Sequence, residues 1–255
     1  MDVDVVAGNP ILRSALGDSF PASPTVTIRL AEEAGINENS RVLHIGAGVG
    51  TVCQMLVETF DCHATGLVEL EELLQYTTFE HERVSYLHVP LSELPHYEAE
   101  LFTHVLIEAR CMVIPNLSAV LSEAKRLLKP NGRLIVNDAV ISEGSELPKT
   151  ITKMITSMNL DRVIVFRSAD EITSEIEAVG FNLTSTKEEP DVTERILGKL
   201  QQLSLLMKMA IRMSFNPKSY GIPFTTKELL DAYEETRSSV ADGTIRWFSW
   251  SATNF

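Results

Sequence analysis

Arg41-Val-Leu-His-Ile-Gly-Ala-Gly-Val-Gly50 decides how this chain is read. Five residues of strand character run into glycines at 46, 48 and 50, and Thr51 opens a helical pattern. A strand–loop–helix junction of this kind lets backbone N–H groups and a helix N-terminus approach a ligand closely. The next apolar run, Ala64 to Glu69, ends on an acid, which from that place can hydrogen-bond a ribose diol. Together they predict a nucleoside-cofactor site. The spacing is GxGxG, with Thr51 where a dinucleotide fingerprint places its third glycine, which weighs against nicotinamide and flavin cofactors.

Outward from this loop, strand and helix patterns alternate. Residues 1–24 hold Pro10, Pro21 and Pro24 and read as an irregular lead-in, followed by a helix from Thr25 that Gly35 ends. After strand one (Arg41 to Ile45) come a helix from about Thr51 to Thr59, strand two (Ala64 to Glu69), a short helix (Leu70 to Thr78) and strand three (Val84 to Val89). Strand four is His104 to Ile107. Apolar residues at 117, 120, 121, 124, 127 and 128 then recur at helical spacing, with Asn116 placed as cap and Pro130-Asn131-Gly132 as terminator. Arg133 to Asn137 is strand five. Ser168 to Glu171 is a capping-box pattern opening a helix closed by Gly180, before a strand from Phe181 to Ser185. Residues 191–213 form a long Leu- and Met-rich helix, Thr225 to Glu228 opens another capped helix, and Thr244 to Ala252 is the last strand. The alternation argues for a parallel sheet covered on both faces.

Composition excludes several classes of partner. A formal charge of −13 over 255 residues opposes binding to phosphate backbones, so no nucleic acid is expected. No segment is long and apolar enough to insert in a membrane, and the first residues lack a basic and apolar leader. A cytoplasmic location is the expectation. Cys53, Cys62 and Cys111 have neither disulfide nor CxxC spacing, and the histidines follow no ligand spacing, so no metal site is read. A homodimer is compatible with the sequence, and nothing in it specifies one.

The order of motifs resembles class I S-adenosylmethionine-dependent methyltransferases, in the small-molecule branch of quinone, tocopherol, sterol and arsenite enzymes. The phrases that carry the likeness are VLHIGAGVG (42–50), ATGLVE (64–69), LSELP (91–95), FTHVLIEARCMVIPN (102–116), SEAKRLLKPNGRLIVND (122–138) and IEAVGF (176–181). The resemblance implies a single α/β domain with a Rossmann-like methyltransferase fold. Its seven-stranded, mostly parallel sheet would have the order 3-2-1-4-5-7-6, with helices on both faces and a helical cap insertion at 187–240. It implies S-adenosylmethionine as cofactor and a small, apolar acceptor molecule under the insert. Position by position, Gly46, Ala47, Gly48 and Gly50 would border the methionine part, and Glu69 would take the ribose hydroxyls. Leu70, Pro90 and Leu91 would flank the adenine, and Glu108 and Ala109 would face the sulfonium. Arg110 and Asp138 stand at the end of the sheet where acceptor contacts are made, with a solvated or salt-bridged pair as the alternative.

Several positions depart from that family. His44 stands where an acid usually precedes the first glycine, Pro90 where an acid usually meets the adenine amino group, and Thr103 where an aspartate usually begins strand four. Val113 replaces a histidine near the transfer site, so no catalytic residue is assigned. Methyl transfer is an in-line displacement in which positioning supplies much of the rate, and a base is required only by a protonated acceptor. The same departures keep a second reading, the fold without methyl transfer, as a binding or partner subunit or an enzyme of another reaction. Val192, Ile196, Leu197, Leu200, Leu203, Leu206, Met207 and Ala210 give the long helix a broad apolar face, predicted to pack in the core.

Overall fold

A computed structural model describes residues 23–69, 71–77, 79–89, 98–157, 164–214, 216–220 and 224–255. The strands are β1 (Arg41–Ile45), β2 (His63–Val68), β3 (Val84–His88), β4 (Phe102–Glu108), β5 (Leu128–Ile141), β6 (Asn182–Glu188) and β7 (Ile245–Thr253). The helices are α1 (Pro24–Glu33), α2 (Thr51–Phe60), α3 (Leu117–Leu127), α4 (Lys149–Ser157), α5 (Ala169–Ala178), α6 (Pro190–Arg212) and α7 (Thr226–Ala241). The strands form one sheet in the order β3-β2-β1-β4-β5-β7-β6. Every pairing from β3 across to β5 is parallel, and β7 runs antiparallel to both neighbours.

Two apolar layers cover the sheet, one on each face, because side chains alternate along each strand. Leu43, Ile45, Val105 and Ile107 point to the layer built by α3 and α5, which contribute Leu117, Leu121, Ile172 and Ile176. Val42 and Leu106 point the other way, to Val26 and Leu30 of α1, Val52 and Leu56 of α2, and Val192 at the start of α6. Trp247 and Trp250, both buried, fall in opposite layers.

The predicted caps form. Asn116 accepts from the N–H of Ala119, and Ser168 with Glu171 and Thr225 with Glu228 make complete capping boxes. Three expectations are corrected. β5 begins at Leu128, next to the helix, and extends to Ile141, so the Pro130-Asn131-Gly132 turn lies inside it as a break in register with β4. Asn254 holds that turn, accepting the N–H of Asn131 on its carbonyl and donating from Nδ2 to the Leu128 carbonyl (3.1 Å). The helix α4 has no counterpart in the sequence reading. The long helix is buried only at Val192, Leu200, Leu203 and Ser204, while Leu205, Leu206, Met209, Ile211 and Met213 are exposed. The first 22 residues of the expected lead-in, and the phrase 91–95, lie outside the described residues.

Candidate active site

Parallel strands aim their carboxyl ends at one edge of the sheet, and every described candidate residue collects there. Where β1 ends, the N–H groups of Gly46 and Ala47 both donate to the Leu67 carbonyl of β2 (3.1 and 2.7 Å), which turns the chain sharply. Gly46, Gly48 and Gly50 all have positive φ, so the sequence alternation of glycines matches the alternation of left-handed backbone. Tyr86 of β3 closes the far side, its hydroxyl donating to the Gly50 carbonyl (3.2 Å). Sequence reasoning did not single out Tyr86.

Glu69 follows β2 and is partly buried. Its Oε1 lies 2.9 Å from Nε of Arg110, and Oε2 has no hydrogen-bond partner among the described residues. Arg110 reaches it by crossing the glycine loop: a Cβ built on Gly46 would lie 2.3 Å from Cγ of Arg110, and one on Gly48 3.4 Å from Nη2. The glycine loop and the acid are therefore one side chain apart.

The turn that aims Arg110 is fixed by Asp138. Ala109 takes a left-handed φ of 55°. The N–H groups of Arg110 and Cys111 both donate to Asp138 Oδ2 (2.7 and 2.6 Å), and Ala139 donates to Oδ1 (2.7 Å). Asp138 thus clamps the backbone of this turn. It is fully buried, which raises its pKa, while its backbone hydrogen bonds act in the opposite direction.

Glu108, the last residue of β4, faces the α1 side of the sheet. Its Oε1 accepts from Thr27 Oγ1 of α1 (2.6 Å) and Asn137 Nδ2 of β5 (2.7 Å), and Asn137 accepts in turn from the Trp247 indole. Glu108 Oε2 has no hydrogen-bond partner among the described residues. Burial pushes the Glu108 carboxyl up to about 7, against the two hydrogen bonds. Its charge also acts on Arg195 of α6.

His44 lies on the same face, its Nδ1 3.7 Å from the Cys53 sulfur and its Nε2 without a hydrogen-bond partner among the described residues. Burial first, and Arg110 second, lower its pKa to about 3. The imidazole is neutral at physiological pH, so it brings no positive charge against a cationic ligand. The thiols are also quiet. Burial raises Cys53 to about 12 and Cys62 to about 11, and pushes Cys111 well above its usual value. Cys62 precedes β2, at the opposite edge from Cys111.

Arg167 was also missed. Nearly buried, it donates to the carbonyls of Cys111, Ile114 and Pro115 and to Glu175 of α5, fastening the segment after β4. Leu70, Pro90 and Leu91, the expected adenine neighbours, lie outside the described residues.

Several known proteins are similar to this chain. The glycine/sarcosine/dimethylglycine N-methyltransferase of Actinopolyspora halophila is 28% identical over 136 residues, 51% of this chain and 24% of that protein. The sterol 24-C-methyltransferase of Candida albicans is 26% identical over 175 residues, 66% of this chain and 46% of that enzyme. The chain thus spans about a quarter to a half of the length of these curated relatives. Among solved structures, phosphoethanolamine N-methyltransferase 2 of Haemonchus contortus has a TM-score of 0.76 at 18% identity, over 98% of this chain and 56% of that one. The 4+2 cyclase SpnF has a TM-score of 0.73 at 17% identity, over 98% and 93% of the two chains. These likenesses establish the fold. A family model described as a methyltransferase domain matches residues 36–193, well over half of the sequence, and the chain belongs to that family.

Proposed function

We propose that this chain transfers a methyl group from S-adenosylmethionine to a small molecule. The observation that carries the reading is the juxtaposition of the glycine loop and the Glu69 carboxylate, one side chain apart, at the carboxyl ends of β1 and β2. The buried, unpartnered Oε2 of Glu69 suits a ribose hydroxyl donor, and the missing side chains at 46 and 48 suit close approach of a ligand backbone. When bound, S-adenosylmethionine would supply an electrophilic methyl group on a sulfonium. Gly46, Ala47, Gly48 and Gly50 form its cradle, Glu69 orients the ribose, and Glu108 and Ala109 border the reacting end. Leu70, Pro90 and Leu91 are the residues that the family resemblance offers for the adenine side. The neutral His44 leaves Glu69 and Glu108 as the carboxyl groups of this cradle.

Residues 187–240 are read as a cap on one 255-residue domain, supported by the packing of α6 and α7 on each other and on β7. An apolar acceptor is supported by the apolar side chains of α6 and by the sterol enzymes among the relatives. Three free, buried thiols support a reducing, cytoplasmic setting. The second reading, another reaction or a binding role at the same site, is favoured by the breadth of chemistry on this fold, which SpnF illustrates as a cyclase.

Calorimetric titration with S-adenosylmethionine, S-adenosylhomocysteine and NAD separates these readings. The expected result is binding of the first two only, abolished by Gly48→Val and weakened about tenfold, about 1.4 kcal/mol, by Glu69→Ala. Absence of binding to the folded wild type would remove the cofactor reading. Transfer of labelled methyl to a cell extract then distinguishes an enzyme from a binding subunit.

A further inference from the structure

Arg110 has no part in the reaction as derived above, yet it occupies the place the reaction needs. Its base does not move freely, because its own N–H and that of Cys111 are both held on Asp138 and Ala109 is turned left-handed. Its stem lies against Gly46, where an added Cβ would stand 2.3 Å from Cγ and 2.7 Å from both Cδ and Nε. Its head meets Glu69, and Nη1 otherwise donates only locally, to the Ala109 carbonyl (3.1 Å).

This ion pair is incomplete. Nε of Arg110 lies 2.9 Å from Glu69 Oε1 without the alignment of a hydrogen bond, and Oε2 of Glu69 is buried with no partner among the described residues. A permanent arginine–carboxylate pair uses its forked geometry to satisfy both oxygens. Here one buried oxygen is left over, and a buried acceptor without a donor costs free energy.

We propose that Arg110 is a displaceable clasp that determines the affinity of this site, competing with the nucleoside cofactor for Glu69 and for the glycine face. The inference rests on the cofactor reading above. Ligand and clasp need the same carboxylate and the same space over Gly46, so binding must turn the arginine side chain out about its fixed backbone. The energy of the Arg110–Glu69 pair is then subtracted from that of the ligand. Removing the guanidinium while keeping a stem of similar length should therefore tighten binding, the reverse of removing a ligand contact.

The test is titration of wild type and Arg110→Met with S-adenosylhomocysteine, which is uncharged at its sulfur, at roughly 50 and 500 mM salt. Arg110→Gln is the second variant, and thermal unfolding of each protein checks that it is folded. The expected result is binding about tenfold tighter in the variant at low salt, with the gap narrowing at high salt as the partly exposed pair is screened. Equal or weaker binding by both folded variants overturns the clasp and leaves the cofactor reading intact. No binding by wild type and variants alike overturns the cofactor reading, and the clasp falls with it.

Discussion

At the scale of single residues, two buried groups beside the site make stability depend on pH with opposite signs. Glu108 keeps its proton in the fold up to about pH 7 and loses it near 4.5 when unfolded, so its burial lowers stability as pH rises through that interval. His44 is neutral in the fold down to about pH 3 and protonates below 6.5 when unfolded, so it lowers stability as pH falls from 6.5. Between 4.5 and 6.5 the two slopes oppose and cancel. Glu108→Gln should expose the His44 slope, adding about 2–3 kcal/mol of stability between the ends of that window relative to wild type. In thermal unfolding this is a relative rise in Tm of roughly 5–10 °C. His44→Asn should give the reverse slope, and a Glu108→Gln profile parallel to wild type would sink the burial account. The left-handed glycines and the place of Glu69 just beyond β2 were legible in the sequence, because positive φ demands one residue type and an acid closing an apolar run marks a strand end. The pairing of Arg110 with Glu69 was not, since nothing in local sequence tells which way an arginine beyond a strand will turn.

At the scale of elements, the segment after β4 owes its shape to two buried charged side chains from elsewhere, Asp138 on β5 and Arg167 before α5. Asp138 serves N–H groups and Arg167 serves carbonyls, so together they satisfy backbone that neither helix nor sheet can. Arg167→Met should destabilise the protein by about 2–4 kcal/mol in urea unfolding, because it leaves Glu175 with the Ser118 hydroxyl (3.0 Å) but no cation, and three carbonyls without this donor. Removing the Ser168 hydroxyl one residue later, by Ser168→Ala, should cost only about 1 kcal/mol. A ratio near one would mean the arginine is no more than a cap neighbour. The caps at Asn116, Ser168 and Thr225 were readable because a cap is local, three residues wide. The bounds of β5 were not, because its amino-terminal end is set by Asn254 and its far end by pairing with β7, contacts more than a hundred residues away.

At the scale of the whole molecule, the order of the strands and the two covered faces agree with the expectation drawn from the motifs. The departure is α6, whose apolar composition predicted burial on most sides. Leu203→Ala, in the buried stripe, should cost about 2–4 kcal/mol, whereas Leu205→Ser or Met209→Ser should each change stability by roughly 0.5 kcal/mol or less. Denaturant midpoints of the three variants check this division, and a large loss at Met209 would show that the exposed stripe is covered in solution. Composition could not reveal the split, because a leucine looks the same whether its helix crosses the sheet or leaves it. The root of α6 is Glu189, buried and bonded to Arg29 of α1 (2.6 Å) and to Ser249 of β7. From there the helix rises about 36 Å to Met213, while Arg195 stands only about 9 Å from the same root. The helix is also held above that root, with Leu200, Leu203 and Ser204 buried along it and α7 packed against it. A rod braced at its foot and again at mid-height does not swing about the foot, so displacement of the outer stripe at 205–213 has to bend the rod above Ser204 and leaves its first half, Arg195 included, in place.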